Sequence, residues 1–108
     1  MAVLTLQNID RLGAAPTYAA ATGGGDSFPN DERTLVHIKN GGGAISLSVQ
    51  TQLTVDGKPV ADDSINVPAG GERMVGPFPA PIYNDANGRV NLAYSGVTSV
   101  TVGVFRLT

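Results

Sequence analysis

The side chains best suited to proton or metal chemistry are few and widely spaced. There is one histidine, His37, and no cysteine. A serine nucleophile needs a base beside it and a third group to orient that base. No Gly-x-Ser-x-Gly turn is present to supply the serine. His37 lies between Val36 and Ile38, so in a strand its ring faces away from theirs. The pattern predicts a strand histidine on an outer face, hydrogen-bonded or solvated. Zinc sites gather several His or Cys ligands, and one histidine is too few to suggest one.

The carboxylates are Asp10, Asp26, Asp31, Glu32, Asp56, Asp62, Asp63, Glu72 and Asp85. Acid–base pairs must converge on one bond. The adjacent pairs Asp31-Glu32 and Asp62-Asp63 would diverge in a strand, which makes them wet turn residues. Asn84-Asp85-Ala86-Asn87-Gly88 has a faint calcium-loop look, but the repeating acidic positions and the closing Glu are missing. Gly23-Gly24-Gly25 and Gly41-Gly42-Gly43 are not followed by Lys-Ser or Lys-Thr, so they read as flexible connections and not as phosphate loops. The expectation is a protein with no catalytic site, no cofactor and no metal.

Charge and composition narrow the class further. The net charge is −2 and the seven Lys and Arg residues are dispersed, whereas nucleic-acid binding calls for a clustered basic face. No apolar stretch approaches the roughly 20 residues of a membrane span. Met1 to Leu6 lacks the basic start and apolar run of a signal peptide. The chain is expected to be soluble and made in the cytoplasm, with no nucleic-acid or membrane partner.

The elements that must carry these residues are strands. Fourteen glycines and seven prolines fall between apolar runs, as punctuation for short strands. The clearest is Ile45 to Val55, where Ile45, Leu47, Val49, Leu53 and Val55 alternate with polar residues. Further strands are expected at 3–7, 33–39, 64–67, 72–78, 89–94 and 98–107. Asp56-Gly57 and Asn87-Gly88 are hairpin-type turns. The whole predicts a single all-β domain, a small antiparallel β-sandwich of about six or seven strands, Ig-like or jelly-roll-like, with a small barrel as the competitor. Leu47, Val49, Leu53, Val90, Leu92, Val100 and Val102 are expected in one core.

Residues 10–32 hold few large apolar groups and exceed ordinary loop lengths. They are expected to be an extended arm reaching a neighbour or a long loop over the domain. Three features look interactive. Phe105 and Leu107 lie on the face opposite Val100, Val102 and Val104, so something must cover each side. The stretch from Pro77 to Tyr83 is stiff and carries Phe78, Pro79 and Tyr83 with little entropy to lose on docking. Tyr18, Phe28 and Pro29 stand in an otherwise polar segment, and aromatics commonly anchor interfaces.

Several stretches resemble small structural proteins of tailed-bacteriophage heads. They are Leu6-Gln7-Asn8-Ile9, Gly24 to Asn30, Val36-His37-Ile38-Lys39-Asn40, Val67-Pro68-Ala69-Gly70-Gly71 with Val75-Gly76-Pro77-Phe78, and Val97 to Val102. The resemblance implies a capsid decoration, or cement, protein: a β-sandwich, often a trimer, bound to the outer surface of the major capsid protein shell of the virion. A head–tail connector or tail component is the alternative within the structural class. A carbohydrate-binding sandwich is the alternative outside it, weakened by the absence of Trp.

Overall fold

Strand follows strand because the branched and aromatic residues come in short alternating runs, each cut off by a turn-forming group. The computed structural model describes residues 2–107. Its strands are β1 (Ala2–Val3), β2 (Leu6–Ile9), β3 (Ala19–Ala20), β4 (Asp26–Pro29), β5 (Thr34–Asn40), β6 (Ile45–Val49), β7 (Thr54–Val55), β8 (Lys58–Pro59), β9 (Asp63–Val67), β10 (Glu72–Val75), β11 (Arg89–Tyr94) and β12 (Val100–Leu107). A one-turn helix, α1 (Ala80–Tyr83), interrupts them. The fold is all-β, as the punctuation predicts.

Sheet A runs β1-β4-β11-β6-β9, and sheet B runs β10-β5-β12-β2 with β3 also beside β12. Apart from the β7–β8 hairpin, successive strands from β4 onward mostly cross between the sheets, which makes the two sheets one sandwich. Val36, Ile38, Val102 and Val104 of sheet B face Phe28, Leu47, Val49, Val67, Val90 and Leu92 of sheet A, all at most 1% exposed. At about 25 cal/mol per Å² this apolar burial is the main force holding the sheets together. The Asp56-Gly57 turn closes β7 on β8 with φ of 54° and 74° at its two central residues, the positive values a two-residue hairpin demands.

Four sequence expectations need correction. The sandwich is mixed, because β1 pairs parallel with β4 and β2 parallel with β12. Strands of four residues or more number eight among the described residues, beyond the six or seven expected. The Ile45–Val55 alternation does not form one strand. After Val49 the chain leaves the sheet: the Gln52 N–H turns to the Ile82 carbonyl, and Thr51 is taken by Asp62 and the Val60 carbonyl. Leu53 is therefore exposed rather than in the core, while the other six expected core residues are buried there. Asn87-Gly88 forms a turn before β11, not a hairpin between strands. Asp85 accepts from the N–H groups of Asn87 and Arg89 and from the Asn91 side chain. These bonds, the Asn91 one foremost, hold its carboxyl below the usual range.

Residues 10–32 are also more structured than an arm. They contain β3 and β4, and Phe28 of β4 is wholly buried. The irregular, exposed part is the strap 10–18, which lies across the outside of sheet B. It can come so close because residue 103 is glycine: a Cβ there would sit 3.0 Å from the Thr17 carbonyl and 3.1 Å from the Phe105 ring.

Candidate functional site

Strand alternation decides which sheet-B side chains face outward. Val36, Ile38, Val102 and Val104 point into the core, so Leu35, His37, Gly103, Phe105 and Leu107 point out. Met74 of β10 is registered with His37, and Gln7 and Ile9 of β2 with Phe105 and Leu107. An outer sheet face normally carries polar residues. This one carries leucine, methionine, isoleucine and phenylalanine.

Part of that face is covered by the chain itself. The Tyr18 ring packs edge-on against Phe105, with centroids 5.9 Å apart, and against His37 at 5.4 Å. Lys39 Nζ lies 4.1 Å from the centre of the same ring. The Tyr18 hydroxyl donates to His37 Nδ1 at 2.6 Å, and His37 Nε2 donates to Glu72 Oε1 at 2.8 Å. One neutral tautomer, with its proton on Nε2, satisfies both partners. The Gln7 side chain accepts from the Thr17 N–H and hydroxyl and donates to the Thr17 carbonyl. His37 is thus a strand histidine held by two hydrogen bonds, and it serves as the clasp of the strap.

The rest of the face is open. A groove of about 540 Å³ is lined by Arg33, Thr34, Leu35, Met74, Val75, Gly76, Pro77 and Leu107. Under the edge of the strap it continues, through Leu35 and Met74, into a second hollow of about 370 Å³. Met74 is 67% exposed and Leu107 60%. Beyond Leu107 lie Arg33 and Arg106. Arg106 is engaged by Asn8 and Asp31, whereas the Arg33 guanidinium makes no hydrogen bond among the described residues.

The expected partner residues divide. Leu107 and Pro79 are exposed, as is Pro29 at the end of β4. Phe28 and Phe78 are corrections: they are 0% and 2% exposed and pack on each other at 5.6 Å inside the core. Tyr83 closes that cluster edge-on to Phe78 at 5.5 Å and gives its hydroxyl proton to Asp63. That bond, with partial burial, pushes the Tyr83 phenol up to about 12. Tyr18 and Phe105 pack on each other rather than standing free. Sequence reasoning missed Met74 and Leu35. Their one signal is alternation within the expected strands 33–39 and 72–78, which puts Leu35 on the His37 face, opposite Val36 and Ile38.

Among the described residues no group of three or more His, Cys, Asp or Glu could hold a metal ion, and no helix is long and apolar enough to cross a membrane. At the other end of the sandwich, buried Asp26 accepts from the Tyr94 hydroxyl at 2.8 Å and from the Thr22 N–H at 3.2 Å. Burial foremost, and then this bond, raise the Tyr94 phenol far above its ordinary range. Asp26 is thereby spent on structure. No protein-family model, curated protein or solved structure matches the chain.

Proposed function

We propose that this chain is a non-enzymatic virion structural protein of the decoration type, docking on the outer surface of a major capsid protein shell through the outer face of sheet B. The observation that carries the reading is the open apolar groove between Met74 and Leu107 on an otherwise well-packed sandwich. A large exposed apolar patch marks an interaction surface. The chemistry-bearing side chains point the same way. His37 is tied into the strap clasp and Asp26 into a buried network, so both serve structure. The resemblance of the Leu6–Ile9, Val36–Asn40 and Val67–Phe78 stretches to phage-head proteins supplies the partner class. The physical logic is avidity: many copies, each clamping neighbouring shell subunits, oppose expansion even where one contact is weak.

The test uses purified empty heads stripped of the protein, with occupancy measured after adding the chain back. Leu107→Asp and Met74→Asp should each lower occupancy by roughly tenfold or more, the loss of one buried apolar anchor. Their unfolding midpoints should stay near that of the parent chain, because both side chains are exposed. Ser48→Asp, on the outer face of sheet A, should bind as the parent does. Equal occupancy for all three variants refutes docking through this face. Failure of the parent chain to bind heads refutes the decoration reading itself.

A further inference from the structure

The groove lies beside a sheet edge that is still open, and the two together specify what kind of segment fits. In an antiparallel pair, residues whose main-chain groups face the partner alternate with residues whose groups face away. The Asn40 N–H donates to the Gly71 carbonyl at 2.9 Å, and β10 continues in register with Arg73 opposite Ile38 and Val75 opposite Val36. The main-chain groups of residues 71, 73 and 75 therefore face β5, and those of Glu72 and Met74 face outward. The Glu72 carbonyl is occupied by the Arg73 guanidinium at 2.8 Å. The N–H groups of Glu72 and Met74 and the Met74 carbonyl are left pointing off the edge of sheet B.

Charge narrows the occupant. Two guanidinium groups stand here, Arg33 in the groove lining and Arg73 on β10 itself. The charge of the first already acts on the Asp31 carboxylate, while the second caps only a main-chain carbonyl. Pairing of β10 with a second copy of itself meets these charges poorly. An antiparallel match centred on Arg73 sets Arg73 directly against Arg73, one centred on Glu72 sets Glu72 against Glu72, and one centred on Met74 sets Arg73 against Val75 and offers it no carboxylate; like charges directly opposite destabilise a strand pair. The occupant that meets all three demands is a different chain in extended form. It offers main-chain groups to Glu72 and Met74, an apolar side chain to the groove, and, from the alternate positions on the other face, a carboxylate to Arg73.

We infer that β10 is an acceptor edge for strand addition by an acidic, apolar, extended segment of a partner protein. This mode takes affinity from the main chain and selectivity from alternate side chains. The inference rests on the docking face proposed above and names the form its partner takes.

The probe is an end-capped hexapeptide of alternating valine and aspartate, titrated into the full ¹⁵N-labelled chain. Amide signals of residues 72–75 should shift, with those of Leu35 and Leu107, while the outer face of sheet A stays still. N-methylating alternate peptide residues, in the phase that meets Glu72 and Met74, should weaken binding by roughly tenfold, and methylation in the other phase should not. Arg73→Glu should also weaken it by roughly tenfold and shift preference to a valine–lysine hexapeptide. Arg73 is exposed, so this variant should fold. No shift at millimolar peptide overturns the inference. So does binding indifferent to N-methylation, which means groove filling without strand addition, or equal binding of the two peptides by the parent chain. Peptide binding without binding to empty heads would keep strand addition and sink the decoration reading alone.

Discussion

The two outer faces of the sandwich are built on opposite rules. Outside sheet A stand Ser46, Ser48, Ser64, Asn66 and Asn91, small polar side chains that alternate with core residues and need no cover. Outside sheet B stand Ile9, Leu35, Met74, Phe105 and Leu107, partly roofed by the strap, with Met74 and Leu107 exposed. Both sheets share one core and comparable strand lengths, so folding alone does not account for the difference. A face that only has to meet water is served by serine and asparagine. A face of leucine and methionine exposes apolar area to water, and here the strap covers part of it.

The comparison breaks most readily at Phe105. It lies on the outside of its sheet yet is only 8% exposed. Phe105→Ala should cost about 3–5 kcal/mol in denaturant unfolding, in the range of the buried sheet-A substitution Leu92→Ala at about 2–5 kcal/mol. A loss under half a kcal/mol at Phe105 would mean the strap is no real cover. Next comes the clasp. Tyr18→Phe removes the donor to His37 and should cost about 1 kcal/mol. Amide exchange at residues 17–20 should quicken, with β6 and β11 unaffected; unchanged exchange there would show that Gln7 alone holds the strap.

A smaller effect is expected at the Tyr83–Asp63 contact, where the end of α1 meets the start of β9. The folded phenol titrates near 12, above its unfolded value of 10.0. The neutral form is the one stabilised, so the contribution is complete below pH 10 and lost as pH rises through 12. Stability should fall over that window, and Tyr83→Phe should flatten the fall; an identical slope in the variant would remove the contact from the account. The smallest effect belongs to the polar face. Ser48→Ala should change stability by no more than about 0.5 kcal/mol, and a larger loss would mean that sheet A, too, has a covered exterior.

What could be read in advance follows from how local each signal is. The alternations in β6, β11 and β12 are carried by consecutive residues, so the strands and most core positions were visible in the sequence. Alternation does not say where a strand stops, and Leu53 was assigned to a strand that ends at Val49 because the competing partners of Thr51 and Gln52 are nine to thirty residues away. Phe28 offered no period at all. Its neighbours Asp26 and Ser27 are polar, and its packing partner Phe78 lies fifty residues on. The candidate face was half legible. Phe105 and Leu107 could be placed on a second apolar side, but the strap over one and the groove beside the other depend on β10 and β2 lying on either side of the β5–β12 pair.

The parallel pairing of β2 with β12 has a mechanical meaning. Leu6 lies beside Val104 and Ile9 beside Leu107, so tension entering through residue 2 and leaving through residue 107 pulls these neighbours in opposite senses along their own axes. The bonds between them are loaded together in shear, rather than unzipped one at a time. The β1–β4 pair in the other sheet is recruited by the same pull, through the buried Leu4 where the chain passes between sheets. Stretched by its ends, the sandwich should yield at high force, with the two sheared pairs, β1–β4 and β2–β12, parting before the rest. Force spectroscopy showing gradual, low-force peeling from the N-terminal side would contradict that load path.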